Sequence, residues 1–525
     1  MTVAVDAAEE TAALSLTAEQ QSIVEWGDGP VVVIAGAGTG KTRVIVERVR
    51  NLLATQDDLL PEQILVLTYN VKAARELQVR LDQAIGVAAR SRMTVTNFHS
   101  FCQRILTENA ADAGLPPRPE VLDGIGQVLL LRDIRPRLEL VYHSDWWLGS
   151  FVQIINQAKD ELVSPDTFDA FVETERRAFE DRYGSFEAAA DRIALQGNLT
   201  PLRRVRGDYA NLRTNERAEA RGEIRAYKDD AHEKTADREA RRTVAATGRA
   251  LYRNQIPAAD HPRIDELKAT YEADGAALEV VRLTELAQVF RAYEQELARR
   301  GALDFGEQIA AVAQLFKVRS NVLRRWQRQF RYLLIDEFQD ANVAQIELIE
   351  LLGRTPDRPD NVMVVGDDDQ SIYRFRGASF AAFAEFDTRF GRPPAHDPGA
   401  TPPGPPPRLP IEQNFRSVRH VLTGANRLIT NNETRYAPDK RLATEREDGD
   451  PVQLIVCAGP DDEAVAIVDL IKAWRKPADG PRATDDRAGH ALSDFAILYR
   501  KHKHRDAIVR QLRDEDIPYT VVGGL

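Results

Sequence analysis

Cysteine is nearly absent from this sequence. Cys102 and Cys457 are the only two among 525 residues, and neither belongs to a CxxC pair. This count argues against a disulfide framework, a zinc knuckle or an iron–sulfur cluster. The sequence also lacks a basic start followed by an apolar segment, and no stretch approaches the ~18 apolar residues of a membrane span. These absences predict a cytoplasmic protein with no membrane partner.

Positive charge is also in short supply. Lysine and arginine number 70 against 81 aspartates and glutamates, which gives a formal net charge of −11. The molecule as a whole should therefore not adhere to a polyanion, so any nucleic-acid binding has to come from local patches and from stacking. A length of 525 residues with 43% hydrophobic content is enough for about three or four domains with buried cores.

Short apolar runs rich in β-branched residues alternate with helical patterns. Helical periodicity follows most of these runs, as in TRVIVERVRNLL and VKAARELQVRLDQAI. Such alternation predicts an α/β protein whose parallel sheet is covered by helices on both faces. The predicted strands are residues 31–34, 64–67, 93–96, 332–335 and 362–365.

The alternation stops between about residues 105 and 300, where the pattern is helical. Its middle part, 176–275, is dense in arginine and acidic residues and poor in large apolar ones. This composition predicts a solvated arm with ion pairs along its surface. Because basic residues outnumber acidic ones around 203–253, contact with DNA or with a protein partner is the alternative.

Nine prolines mark the stretch 392–410, which predicts a semi-rigid linker. A second α/β unit is predicted after it, with strands at 452–456, 495–499 and 519–522 and helices at 461–474 and 505–514. The predicted domains are a first lobe from 14–105 and 300–391, an inserted helical domain at 106–299, the linker, and a second lobe at 411–525.

The most specific motif comes directly after the first predicted strand. It is a P-loop with alanine in place of the first glycine, followed at once by a helical pattern. Small residues let successive N–H groups surround a phosphate at a helix N-terminus, the lysine reaches the β- and γ-phosphates, and the threonine hydroxyl suits Mg²⁺. The loop consists of Ala35, Gly36, Ala37, Gly38, Thr39, Gly40, Lys41 and Thr42.

A second carboxylate is needed to complete a metal site, and RYLLIDEFQDAN supplies it. Asp336 and Glu337 follow a predicted strand at its carboxyl end, where open α/β sheets bind ligands. We expect Asp336 to hold the metal, mostly through water, and Glu337 to orient or deprotonate the attacking water.

With these residues in place, the chain resembles the UvrD/PcrA/Rep-like superfamily 1 DNA helicases, from about residue 14 to its last residue. Several motifs in the family's order make the resemblance specific. Besides the P-loop they are LTAEQQ (16–21), TYNVKAA (68–74), NFHSF (97–101), LDFGEQI (303–309), LLIDEFQD (333–340), GDDDQSIYRFRGA (366–378) and EQNFRS (412–417).

The resemblance implies a RecA-like P-loop lobe with a large inserted helical domain, followed by an incomplete second RecA-like lobe. ATP and Mg²⁺ are the implied cofactors, and single-stranded and forked DNA the implied partners. The implied ATP-binding residues are Gln20 at the adenine, the loop from Ala35 through Arg43, and Phe415 stacked on the base.

Roles in catalysis and DNA binding also follow from the resemblance. The implied catalytic residues are Lys41, Glu337, Gln370, Arg376 and Arg416, and the implied DNA-binding residues are Tyr69, Phe98, His99, Tyr373 and Phe375. Flat rings suit a motor, because stacking tolerates any base.

Alternatives stay open for some of these residues. Tyr373 and Phe375 could be core residues, His99 could be purely structural, and Arg416 could be a surface arginine at a helix start. Some positions also depart from the family pattern: Val71 replaces an asparagine, and Phe375 replaces a tryptophan.

In the family, further sequence with two more motifs follows the point at which this chain stops. The resemblance therefore predicts an N-terminal portion that binds ATP and Mg²⁺, hydrolyses ATP weakly and does not unwind DNA by itself. The predicted function is that of an ATP-dependent 3′-to-5′ helicase or translocase in DNA repair, recombination or replication restart. The alternative is a catalytically incomplete ATP- and DNA-binding module that regulates or docks.

Overall fold

The computed structural model describes residues 15–195, 261–372, 381–392, 404–475 and 489–522. The chain divides into two compact units, Met1–Ser417 with Asn426–Glu445 and Val418–Ala425 with Arg446–Leu525. None of the helices in the described ranges combines the length and the apolar character needed to cross a membrane.

A six-stranded parallel sheet forms the centre of the first unit. Its strands lie in the spatial order β3 (Thr94–Asn97), β2 (Ile64–Thr68), β6 (Tyr332–Ile335), β7 (Val362–Gly366), β1 (Val31–Ala35) and β8 (Arg408–Ile411). The five strands predicted for the first lobe are confirmed, each to within one residue at either end.

Seventeen α-helices are present in the described parts of the chain. In chain order they are α1 (Ala18–Val24), α2 (Lys41–Thr55), α3 (Val71–Ile85), α4 (Val87–Arg92), α5 (Phe98–Glu108), α6 (Gly124–Ile134), α7 (Leu148–Asp160), α8 (Pro165–Tyr183), α9 (Phe186–Leu195), α10 (His261–Arg300), α11 (Phe305–Val318), α12 (Ser320–Gln329), α13 (Val343–Gly353), α14 (Ala382–Phe390), α15 (Arg419–Ile429), α16 (Pro460–Trp474) and α17 (His502–Asp514).

The central strands are apolar throughout because both faces of the sheet are covered. Successive residues of a strand point to opposite faces, so Val32 and Ile34 join one core while Val31 and Val33 join the other. The first core is closed by α5 and α11–α14, and the second by α1–α3. Burial on both faces explains why the sequence shows continuous apolar runs rather than alternation, and the predicted RecA-like α/β class is confirmed.

The segment between α5 and α11 is mostly helical, as the sequence predicts. Helices α6, α7 and α10 share a core that contains Leu130, Phe151, Phe290 and Tyr293. A short parallel pair, β4 (Glu120–Leu122) and β5 (Ala302–Asp304), lies at the base of this segment. Of the predicted charged arm 176–275, residues 196–260 lie outside the described residues. Its two described ends are not only solvated, because Phe179, Ile193 and Ala277 share a buried apolar core.

The predicted linker 392–410 overlaps with a strand, so the prediction is wrong at its end. Residues 408–410 belong to β8, which pairs in parallel with β1. Pro410 is tolerated there because β8 is an edge strand, where a missing N–H need not break a ladder. Residues 393–403 lie outside the described residues.

In the second unit, α16 and α17 pack around Val468, Ile508 and Leu512, which confirms both predicted helices. The strands predicted at 452–456, 495–499 and 519–522 are wrong, because none of these segments forms a strand ladder among the described residues. A strand needs a hydrogen-bonded neighbour. Without one, several of these apolar side chains are exposed, as for Leu498 at 95%, while Phe495 and Ile497 pack against the core of the second unit.

A buried cluster of charges ties the inserted helices to the first lobe. Lys159 at the end of α7 lies 2.7 Å from Asp304, 2.6 Å from Glu294 and 3.2 Å from Glu307. Burial alone would lower the pKa of Lys159, but the three carboxylates raise it above its usual value. A protonated Lys159 therefore joins α7 and α10 to the β5–α11 corner.

The neighbouring Asp160 contacts the first lobe through Asn342. Asn342 Nδ2 donates to Asp160 Oδ1 at 2.6 Å, and Asn342 caps α13 directly after the DEFQD sequence. Burial first, and then the negative charges of Glu161 and Asp304, raise the pKa of Asp160 to about 7. Near neutral pH, part of the population therefore carries a proton on this carboxyl group.

Replacing Asp160 with asparagine should change how stability depends on pH. The folded chain keeps a proton on Asp160 that the unfolded chain loses near pH 4. The free energy of unfolding of the wild type should therefore fall as pH rises from about 4 to 7 and level off above. Since one pKa unit corresponds to ~1.4 kcal/mol, D160N should be more stable than the wild type at pH 8 by on the order of 1–4 kcal/mol.

Urea unfolding between pH 4.5 and 8 measures this difference. The exposed Asp191 of α9 provides the matched control, because D191N should follow the wild-type profile. Parallel pH profiles for wild type and D160N would show that Asp160 does not hold the proton.

Candidate nucleotide site

The phosphate loop lies between the end of β1 at Ala35 and the start of α2 at Lys41. Gly38 and Gly40 have φ angles of +78° and +88°, a region that residues with a Cβ avoid, so glycine is needed at both positions. Gly40 precedes α2 without a side-chain cap. The first N–H groups of α2 therefore suit an anion, as the sequence predicts.

Thr39 and Gln20 brace the loop from the inside. The Thr39 hydroxyl donates to the Gly36 carbonyl at 2.8 Å, and Gln20 Nε2 donates to the Thr39 carbonyl at 2.9 Å. Gln20 also completes a capping box with Thr17 at the start of α1. Gln20 thus holds the loop by its backbone, and its position at the adenine stays a prediction.

Lys41 is paired with the predicted catalytic carboxylate. Lys41 Nζ lies 2.6 Å from Glu337 Oε2, with the Lys41 side chain almost fully covered. Glu337 has a φ angle of +52°, a strained value for a residue with a side chain. A bound phosphate would compete with Glu337 for Lys41, so binding would free this carboxylate for chemistry.

The donor set around Lys41 fits Mg²⁺. Thr42 and Arg43 form the first turn of α2, and Asp336 is buried at the end of β6. Burial first, and then repulsion from Glu337, raise the pKa of Asp336 and of Asp340 to about 6 each. Such crowded carboxylates, together with a hydroxyl, are the hard oxygen ligands that Mg²⁺ takes; Thr42 and Asp336 would hold it.

A continuous series of hydrogen bonds leads from Lys41 to the predicted γ-phosphate sensor. Gln339 Nε2 donates to the same Glu337 oxygen at 2.8 Å, and Gln339 Oε1 accepts from the Asp367 N–H at 2.9 Å. Gln370 Nε2 then donates to Asp367 Oδ2 at 2.7 Å. The sequence reasoning missed Gln339, although a glutamine two residues after Glu337 was a visible signal.

The EQNFRS segment lies directly on the loop, within the first unit. Asn414 Nδ2 donates to the Ala37 carbonyl at 2.6 Å, and the Phe415 N–H donates to the Gly38 carbonyl at 2.9 Å. Asn414 Oδ1 in turn accepts from the N–H of Arg416 at 2.9 Å. Phe415 and Arg416 therefore flank the phosphate loop, and the Phe415 ring is accessible to a ligand at 45% exposure.

The acidic run Asp367–Asp369 has basic partners. Lys440 pairs with Asp367 and lies 2.7 Å from Asp369, and Arg435 holds both Asp369 oxygens at 2.7 and 2.6 Å. The three carboxylates are close enough to hold a metal ion, but two cationic side chains already contact them and offset most of their negative charge. Their role here is to receive Lys440 and Arg435.

The predicted DNA-binding residues are not equivalent in the structure. Tyr69 is half-buried after β2, and His99 is half-buried with its ring edge-on to Phe305 at 5.4 Å. Burial lowers the pKa of His99, so the imidazole is neutral at physiological pH. Phe98 is 3% exposed inside the first core, so in this structure its ring has almost no surface for the predicted contact with DNA. Tyr373, Phe375 and Arg376 lie outside the described residues.

Comparison with known proteins finds two matching family descriptions. The UvrD/REP helicase N-terminal domain matches residues 16–391, and the UvrD-like helicase C-terminal domain matches residues 409–525.

Curated relatives match nearly the whole chain. ATP-dependent DNA helicase PcrA of Leuconostoc citreum is 27% identical over 519 residues, which is 98% of this chain and 51% of that protein. DNA helicase II of Escherichia coli K12 is 26% identical over 511 residues, 97% of this chain and 52% of that protein. The chain spans about half the length of the curated relatives it matches.

Replacing Glu337 with glutamine should separate binding from turnover. A neutral side chain holds Lys41 less strongly, so E337Q should bind Mg–ATP at least as tightly as the wild type. It should lose ATP hydrolysis by on the order of 10²–10⁴, because the proton-accepting group is gone. Titration with a fluorescent ATP analogue and phosphate release measure the two effects, with the exposed Glu76 supplying the control E76Q. Unchanged hydrolysis in E337Q would contradict the role.

Replacing Gly38 with alanine should displace the EQNFRS segment (412–417) from the phosphate loop. A Cβ at Gly38 would lie 2.6 Å from Arg416 Cβ and 2.8 Å from Asn414 Nδ2, on backbone of positive φ. We expect G38A to lose ATP affinity by about tenfold or more and stability by about 1–3 kcal/mol.

Gly29 is a matched control for Gly38. It also has a positive φ, and an added Cβ there meets nothing within 4 Å. Urea melts and ATP titrations of G38A and G29A compare the two sites, and G29A should keep wild-type affinity. Equal losses of affinity would mean that backbone strain, not the contact with residues 414–416, is responsible.

Proposed function

The chain belongs to the UvrD/REP helicase family, and on this premise we propose that it is an ATP-dependent DNA helicase or translocase that moves 3′ to 5′ along single-stranded DNA. The relatives named above are ATP-dependent DNA helicase PcrA and DNA helicase II. The observation that carries the proposal is the series of hydrogen bonds from Lys41 through Glu337, Gln339 and Asp367 to Gln370.

This series suits a motor because it connects the phosphate-binding loop with the segment proposed to bind DNA. Its first member, Lys41, belongs to the phosphate loop, and its last member, Gln370, comes three residues before Tyr373 in the sequence. A change in charge at the loop is therefore transmitted to the segment that carries the proposed stacking rings. Stacking contributes about 1–3 kcal/mol per base and tolerates any sequence.

The proposed chemistry is attack of water on the γ-phosphate of ATP. Lys41 and the loop N–H groups bind the phosphates, and Glu337 orients the water and accepts its proton. Gln370 contacts the γ-phosphate, and Arg416 beside Gly38 stabilises the negative charge of the transferring group. Thr42 and Asp336 would hold Mg²⁺, which would neutralise part of the phosphate charge.

The DNA site of the proposal needs one change from the residues first predicted. Tyr69, His99, Tyr373 and Phe375 remain the proposed contacts with single-stranded or forked DNA. Phe98 instead packs in the core and so supports the start of α5, which carries His99. The charged arm between α9 and α10 stays a proposed contact for a duplex or for a protein partner.

Single-stranded DNA should stimulate phosphate release by this chain if the proposal holds. R416A should lower the stimulated rate by on the order of 10³ while ATP still binds, since a charge-stabilising arginine acts mainly in the transition state. The exposed Arg427 of α15 gives the control variant R427A, which should behave as wild type. Streptavidin on the 5′ end of an oligonucleotide should be displaced faster than streptavidin on the 3′ end.

Different failures of this experiment have different meanings. ATP and DNA binding without DNA-stimulated hydrolysis would instead support a regulatory or docking module. Faster displacement from the 3′ end would overturn the proposed direction alone. Equal rates for R416A and wild type would remove Arg416 from the proposed chemistry.

A further inference from the structure

One short segment contacts both the acidic run and the phosphate loop. We call residues 435–442 the 435–442 strap. At one end, Arg435 and Lys440 have side chains only 4% and 3% exposed, and both are paired with the Asp367–Asp369 carboxylates. At the other end, the Leu442 side chain is so close to Gly36 that an added Cβ there would lie 2.6 Å from it.

Backbone hydrogen bonds of Ala443, the residue that follows the strap, fix it to the EQNFRS segment (412–417). The Ala443 N–H donates to the Glu412 carbonyl at 2.9 Å, and the Asn414 N–H donates to the Ala443 carbonyl at 2.7 Å. Asn414 is the residue whose side chain holds the Ala37 carbonyl. The strap is therefore attached at both ends, to the segment that contacts the phosphate loop and to the Asp367–Asp369 carboxylates.

The acidic run cannot keep its arrangement without these cations. Ligand oxygens of Asp367, Asp368 and Asp369 all lie within 4.8 Å of one another, so their repulsion in a partly buried place is strong. Burial alone would lower the pKa of Lys440, but Asp367 first and then Asp369 raise it, so Lys440 is charged. Arg435 forms an ion pair with Asp369. Lys440 contacts Asp369 as well and is the lysine that pairs with Asp367.

Asp367 is the point at which the strap and the sensor meet. Its Oδ1 accepts from Lys440 and its Oδ2 accepts from Gln370 Nε2 at 2.7 Å. Its N–H is fixed by Gln339 at 2.9 Å. Asp367 Oδ1 also accepts from the Asp369 N–H at 3.1 Å, so Lys440 and this N–H together hold one oxygen and direct the other toward the Gln370 amide.

We propose that Lys440 is a positioning residue that orients Gln370 through Asp367, so that the strap determines how strongly the site prefers ATP to ADP. This rests on the proposed function, in which Gln370 contacts the γ-phosphate. ADP lacks that phosphate, so a misplaced Gln370 weakens the binding of ATP and leaves the binding of ADP nearly unchanged.

The test compares the affinities for a non-hydrolysable Mg–ATP analogue and for Mg–ADP in the same 525-residue chain. K440M removes the charge, K440R keeps it, and R427M removes a charge from the exposed Arg427 of α15, which lies outside the strap. K440M should reduce the ratio of the two affinities by about tenfold, the effect of one charge-assisted hydrogen bond. K440R should restore the ratio to within about threefold of wild type, and R427M should not change it.

Thermal melting of each variant separates positioning from stability. A role limited to stability would lower the melting temperature of K440M and weaken both nucleotides together, leaving the ratio unchanged, and this result would overturn the inference. If K440M does not fold, D367N/K440M removes both charges at once, and a wild-type ratio in that variant would equally overturn it.

The wild type distinguishes failure of the inference from failure of the proposed function. A wild-type chain that binds neither nucleotide would overturn the proposed function and the inference together. A wild-type chain that prefers the ATP analogue while K440M prefers it equally would overturn the inference alone.

Discussion

The charge of Lys41 must be compensated in every state of this protein, because its side chain is almost fully covered and an unpaired buried charge is costly. In the structure described here Glu337 supplies that compensation. A nucleotide phosphate can replace Glu337, and the released carboxylate then has Gln339 as its remaining partner. Under the proposed function, exchange of partners at Lys41 links phosphate binding to the position of the Glu337 carboxylate and of the side chain hydrogen-bonded to it.

Two more buried lysines are likewise compensated by carboxylates. Lys159 joins the inserted helices to the β5–α11 corner, and Lys440 joins the strap to the acidic run. Apolar packing holds the sheet between its two cores but is tolerant of small shifts. A buried lysine among carboxylates accepts few arrangements. The parts of the chain that come from distant sequence positions are therefore fixed by charge, and the sheet itself by apolar burial.

Local patterns predicted the elements that depend on local physics. The five strands, the loop glycines and the Asp336–Glu337 pair could be read because continuous apolar runs and left-handed glycines leave clear signals in sequence. The burial of Phe98 could not be predicted in this way, since it depends on the packing of α5 against the sheet. The strand Arg408–Ile411 was hidden in a proline-rich stretch, because an edge position tolerates proline only when the neighbouring strand is already in place.

The sequence by itself determined the class of the fold, the glycines of the phosphate loop and the adjacent carboxylates Asp336 and Glu337, since each follows from residues that are neighbours along the chain. Only the tertiary structure decided which charges meet. Lys440 and Asp367 are 73 positions apart, and Lys41 and Glu337 are 296 apart. No periodicity or spacing reports such pairs, because they form only after the sheet order has brought the ends of its strands together. The contacts that connect the phosphate loop, Gln370 and the strap therefore depend on the tertiary structure.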